Sequence, residues 1–206
     1  MAISFCDEFN ITHKDFNKTK ALNIILDIDT QFFIDPHLIH LCKIQEFKTA
    51  EKQITDFFSS IKSLILASKS KHDMFWIKAS NLLTFKEYSN TCLGYSGNGT
   101  SGNAIGAKLR DGLLEILKSL LFTIKKLDIF IASYSYMKIF ELLGIFQEGF
   151  GADRISDLIT FLLLENIIKY TARITKVLNI KNTHNVKFKN IDYKLPYNKY
   201  NKKVIF

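Results

Sequence analysis

The chain contains no glycine before Gly94 and none after Gly151. Glycine serves positive φ and close backbone approach, and elsewhere it costs conformational entropy. Nine glycines confined to the middle of 206 residues therefore point to a site built there. Proline is scarcer still: two residues, beside an apolar content of 47%, argue against a disordered chain and for a real core. The three cysteines, Cys6, Cys42 and Cys92, form no CxxC pair and have no His-x₃-His nearby. That argues against a zinc cluster and for buried or free thiols in a reducing cytosol. Long hydrophobic runs are missing too. The longest, Ile155 to Ile168, is interrupted by Asp157 and Glu165, so no membrane span or membrane partner is expected. The opening residues Met-Ala-Ile-Ser-Phe-Cys-Asp-Glu have neither a basic n-region nor an apolar h-region, which gives a cytoplasmic expectation.

Charge is present but unevenly placed. The net +8 resolves into 11 Lys/Arg against 11 Asp/Glu over residues 1–92 and 7 against 7 over 93–157. Residues 158–206 hold 10 against 2, so the whole excess lies in the last 49 residues. A basic segment of this kind binds phosphate without sequence preference, or is simply a solvated end.

Periodicity indicates helices through most of the chain. Residues 1–20 read as polar and irregular, and Ala21 to Asp29 as a short strand or a helical turn. Asp35-Pro36 reads as the cap and first residue of a short helix. Phe47, Ala50, Ile54, Phe57, Phe58, Ile61, Leu64 and Ile65 recur at helical steps, and Ser68 to Lys71 end that run. Further helices are expected over His72–Leu83, Ile105–Ile124, Tyr136–Phe146 and Asp153–Leu178. Val186-Lys187-Phe188 and Ile191-Asp192-Tyr193 alternate around Lys189-Asn190 as a short hairpin. The expectation is a mainly α fold. A helical domain over 1–180 carries short strands near the N-terminus. A basic, aromatic-rich segment over 181–206 holds a small C-terminal hairpin and is expected to be an appendage or a connector to a missing region.

Two glycine-bearing segments invite chemistry. Gly97-Asn98-Gly99-Thr100-Ser101-Gly102 is formally GxGxxG, but no convincing strand precedes it and no acid lies about 20 residues on. No kinase-type strand follows it, and Walker A spacing is absent. What remains is a flexible surface loop or an anion site at a helix start, with Gly97, Gly99 and Gly102 cradling phosphate beside Lys108 and Arg110. The second segment gathers Glu148, Asp153, Arg154 and Asp157 around Gly149 and Gly151. Asp153 suits an N-cap, and Asp157 one turn later suits the helix dipole. Asp153 and Asp157 also share one helix face. With Asp35 or Glu148 they could ligate Mg²⁺ or Mn²⁺ through oxygen, while Arg154 clamps phosphate. His37 and His40 stand three apart after Asp35, a spacing more often structural than metal-binding.

Four stretches resemble a group of poorly characterised bacterial proteins, found sporadically, with a suggested link to phage defence. They are Phe32-Phe33-Ile34-Asp35-Pro36, Asn90 to Ser96, Gly149 to Asp157, and Leu195-Pro196-Tyr197-Asn198-Lys199-Tyr200. The group's pattern often has proline where this chain has Ala152, and it continues past the Leu-Pro-Tyr-Asn segment. The resemblance implies the N-terminal part of a larger protein, or a shortened member, and carries no established activity.

Three readings of function stay open. In the first, Asp35, Glu148, Asp153 and Asp157 hold Mg²⁺ or Mn²⁺ for phosphodiester cleavage by a defence effector, with Arg154, Lys108 and the glycine loop holding phosphate. This reading requires the carboxylates to converge. In the second, the chain is a non-catalytic helical module docking a partner protein or a missing C-terminal domain. In the third, residues 169–203 bind nucleic acid without chemistry.

Overall fold

The computed structural model describes residues 3–85, 87–93, 106–126 and 144–206. In chain order its elements begin with α1 (Phe5–Glu8), α2 (His13–Thr19), α3 (Pro36–Ile39), α4 (Ala50–Ala67), α5 (Met74–Leu82) and α6 (Ala107–Lys126). They continue with α7 (Ala152–Leu162), α8 (Leu164–Val177), β1 (Thr183–Phe188), β2 (Ile191–Asn198) and β3 (Lys203–Val204). The fold is mainly helical, with one small antiparallel sheet ordered β1-β2-β3. The chain divides into two compact units. Unit 1 comprises Met1–Phe33, Tyr88–Gly102 and Leu163–Phe206, and unit 2 comprises Ile34–Glu87 and Asn103–Leu162.

Unit 2 is built on the amphipathic α4. Its inward stripe Ile54, Phe58, Ile61 and Ile65 is buried, and α5, α6 and α7 all contact this helix. On α6, Leu113, Leu114 and Leu117 are buried. Polar contacts then fix the helices. Trp76 Nε1 donates to Asp111 at 3.2 Å, and the Lys118 ammonium lies 5.7 Å from the Trp76 ring centre. Asp73 caps α5, accepting from Trp76 N–H at 2.8 Å and from the Lys69 and Ser70 N–H groups at 2.7 and 3.2 Å. These bonds, led by that from Trp76, hold the Asp73 carboxyl down at about 2.

Unit 1 has two apolar clusters. In one, Leu195 of β2 is fully buried against Leu164 and Ile168 of α8, with Val186, Phe188 and Tyr193 packed around them. The register pairs Val186 with Tyr193 and Phe188 with Ile191. Lys189 (φ 46°) and Asn190 (φ 65°) both adopt the left-handed conformation between the strands, the two-residue turn whose twist suits a hairpin. In the other cluster, Phe5, Cys6, Phe16, Ile24, Leu26, Cys92 and Ile205 meet. Burial pushes the Cys92 thiol up to about 11 and raises that of Cys6, so both behave as core side chains. Residues 181–206, read above as an appendage, belong to unit 1 together with the first 33 residues.

Several local expectations are corrected. Residues 4–20 are ordered by two capped helical turns. Ser4 accepts from Asp7 N–H, Thr12 accepts from Asp15 N–H, and each hydroxyl donates back to the same aspartate. The strands expected near the N-terminus are absent among the described residues. Only isolated bridges form, Ser4 to Ile25 and Thr30 to Leu93. Side chains cut the ladder short: Asn23 Oδ1 accepts from Cys6 N–H and Thr30 Oγ1 from Ile25 N–H. The single helix expected over 153–178 breaks at Leu163 (φ −106°, ψ 16°), where neither glycine nor proline stands. Leu163 also marks the boundary between the units, so the apolar faces of α7 and α8 serve separate cores. Of the helix expected over Tyr136–Phe146, only residues 144–146 lie among the described residues, and they are helical.

Two outcomes test this packing. Leu195→Ala should cost ~2–5 kcal/mol in urea unfolding. Ile191→Ala, on the same strand but 50% exposed, should stay within ~0.5 kcal/mol. The Asp73 cap should also show in acid. Its folded value lies below the ordinary carboxyl value of 3.8, so its contribution is complete above that pH and fades as pH falls towards 2. Thermal melts should therefore separate Asp73→Ala from the parent widely at pH 7 and little at pH 2.

Candidate functional site

The loop before α7 has a local explanation. Gly149 sits at φ +80°, a conformation that a side chain would strain. Phe150, 1% exposed, then plugs into the core, with its N–H donated to Gln147 O. Gly151 O accepts the Ile155 N–H at 3.1 Å, so the helix opens on Gly151 and Asp153 lies inside its first turn. The expected Asp153 cap is thus displaced by two residues. Its charge still faces the positive end of the helix dipole.

Unit 2 joins two of the stretches singled out above. Ile34 N–H donates to the buried Ser156 Oγ at 3.0 Å, which ties the turn before α3 to α7. Asp35 caps α3, accepting from His37 N–H at 2.8 Å, and remains exposed. Arg154 and Asp157 approach to 3.7 Å, with side chains 27% and 15% exposed. Glu148 is exposed, and Asp153 is half-buried. Among the described residues, no group of three or more His, Cys, Asp or Glu side chains is arranged to hold a metal ion. The convergence of Asp35, Glu148, Asp153 and Asp157 required for a metal centre therefore has no counterpart there.

The phosphate candidates divide. Arg110 Nε donates to Ser80 Oγ at 3.4 Å, bracing α6 on α5, whereas Lys108 is exposed in the first turn of α6. Gly97, Gly99 and Gly102 lie outside the described residues.

Unit 1 concentrates the positive charge on ordered elements. Lys169, Arg173 and Lys176, at steps of four and three, are exposed along one side of α8. Lys187, Lys189 and Lys194 are exposed on the hairpin. Glu165 binds the helix to the hairpin turn, accepting from Lys169 at 2.6 Å and Lys189 at 2.8 Å. Those two bonds, Lys169 first, lower the Glu165 carboxyl below its usual value. The Arg173 guanidinium stacks over the Tyr170 ring at 5.2 Å. Only one other acid, Asp192, lies in residues 158–206.

Of the two other stretches singled out above, Asn90 to Leu93 and Leu195 to Tyr200 lie in unit 1, where Asn90 and Asn198 form joints, while residues 94–96 lie outside the described residues. Asn90 Nδ2 donates to Val204 O at 2.7 Å, and Asn90 O accepts the Phe206 N–H at 3.0 Å. Asn198, 1% exposed, turns the chain by accepting the Tyr200 and Asn201 N–H groups at 2.9 and 3.4 Å. The first two helices of this unit were not expected from the sequence. The signal was present in Ser4-Phe-Cys-Asp7 and Thr12-His-Lys-Asp15, both of hydroxyl-x-x-acid form.

Fold and surface define a helical protein with a small antiparallel sheet, on which cations outnumber acids near the C-terminus. No helix among the described residues is long and apolar enough to cross a membrane. The chain belongs to the family described as a domain of unknown function, DUF8370, whose model matches residues 10–206. No curated protein and no solved structure matches it.

The loop before α7 can be tested through its glycines. Gly149→Ala should destabilise the protein by ~1–2 kcal/mol, because it forces a left-handed residue. Gly151→Ala, whose added Cβ would meet nothing within 4 Å, should be close to neutral in the same unfolding measurement.

Proposed function

We propose that this protein binds nucleic acid through the cationic surface formed by α8 and the β1–β2 hairpin, acting in the cytoplasm, where its free thiols stay reduced. One observation carries the reading: the basic excess lies on packed, hydrogen-bonded elements, with 10 Lys/Arg against 2 acids over residues 158–206. Glu165 neutralises one charge between Lys169 and Lys189, and the exposed Lys176 continues the cationic edge along α8. Fixed cations of this kind neutralise backbone phosphates, and the release of condensed counterions drives binding without base recognition. Phosphodiester cleavage finds less support, because its carboxylates form no ligand group among the described residues.

Fluorescence anisotropy with a labelled oligonucleotide tests this. Affinity should fall steeply with salt, and each phosphate contact removed should flatten the log–log slope by about 1. The double variant Arg173→Glu/Lys176→Glu should weaken binding at low salt and flatten that slope, whereas Asp153→Asn/Asp157→Asn should leave both unchanged. A flat salt response in the parent protein would refute the reading.

A further inference from the structure

Unit 1 contains a groove of about 1310 Å³ between its first two helices, the turn after α8 and the turn after β2. That volume exceeds the ~300–1,000 Å³ of a typical small-molecule cleft, so it suits a length of chain better than one compact ligand. Tyr200 stands on its lining and is 78% exposed, an aromatic ring held out in solvent. Its backbone is nonetheless fixed, because the buried Asn198 side chain accepts its N–H. An exposed ring on a hydrogen-bonded turn has a face open for a base to stack on. Lys181 and Lys199, both exposed, line the groove beside it. Asp7 and Glu8 face it from α1. Asp15 and Lys18, also on the lining, pair with each other at 2.7 Å.

Resting on the reading above, we propose that this groove holds single-stranded nucleic acid. A base stacks on Tyr200, phosphates meet Lys181 and Lys199, and exocyclic amino groups donate to Asp7 and Glu8. The mixture of acid and cation fits this ligand. Phosphates need donors, whereas cytosine and adenine present amino groups that a carboxylate accepts. An unstacked base is available only in a single strand, so the groove selects single strands over duplex.

The experiment measures anisotropy of single-stranded and duplex forms of one labelled sequence on the full chain. Tyr200→Ala should weaken single-strand binding by roughly 5- to 150-fold, the range for losing one base–aromatic stack, and leave duplex binding unchanged. Tyr200→Phe should restore it, and oligo(dC) should bind more tightly than oligo(dT), which has no amino group. Equal single-strand affinity of Tyr200→Ala and the parent would overturn the proposal, as would an equal loss on duplex. If Arg173→Glu/Lys176→Glu still weakens binding in that case, the groove is wrong and the cationic surface stands. If the parent binds neither form, both fall.

Discussion

Burial of Leu195 between Leu164 and Ile168 is the contact on which the C-terminal surface depends. A hairpin alone is marginal in water, and its stability comes from an apolar face packed on something else. Here that partner is α8, and the alternation of β2 sends Tyr193 and Leu195 to the helix side while Lys194 stays exposed. The apolar packing thereby decides where the cations go. With the hairpin detached, the same lysines would be a flexible charged tail. With it docked, they hold fixed positions, and Glu165 secures the junction by bonding both Lys169 and Lys189.

Asparagine makes most of the other joints in this unit. Asn90 grips the backbone near the chain's end, Asn182 donates to Tyr197 O, Asn198 folds the turn, and Asn201 reaches Leu26 O at 3.3 Å. An amide side chain offers both a donor and an acceptor, so it can replace a missing ladder partner where the sheet is short. Within the Asn90 and Leu195–Tyr200 stretches, Asn90 and Asn198 each have such a structural role. Tyr200 differs, because its backbone is held while its ring stays in solvent.

In unit 2 the turn before α7 is built by residues with distinct structural tasks. Gly149 supplies a left-handed turn, Phe150 an anchor, Gly151 the opening carbonyl, and Ser156 a hydrogen bond to Ile34. The Arg154–Asp157 pair is partly exposed and 3.7 Å apart, a geometry worth little in stability. Apolar periodicity located α4, α5 and α6 to within a few residues, because each buries a single stripe whose spacing is written in the chain. The β1–β2 hairpin was equally legible, since Lys189-Asn190 interrupts a clean alternation.

The break at Leu163 was not legible. An unbroken apolar pattern with good helix formers runs through it, and only the demands of two cores redirect the chain. The N-terminal strands failed for a related reason: Asn23 and Thr30 side chains took the ladder's hydrogen bonds, a competition visible only once the chain is folded. The sequence by itself determined the helical character, the hairpin and the C-terminal excess of positive charge. These follow from residue spacing and composition, which are local properties. Tertiary structure alone decided that the basic segment is an ordered surface, that Asp35, Glu148, Asp153 and Asp157 form no metal-ligand group among the described residues, and that Tyr200 faces a groove. Each of those depends on contacts between residues far apart in the chain, and no local pattern encodes them.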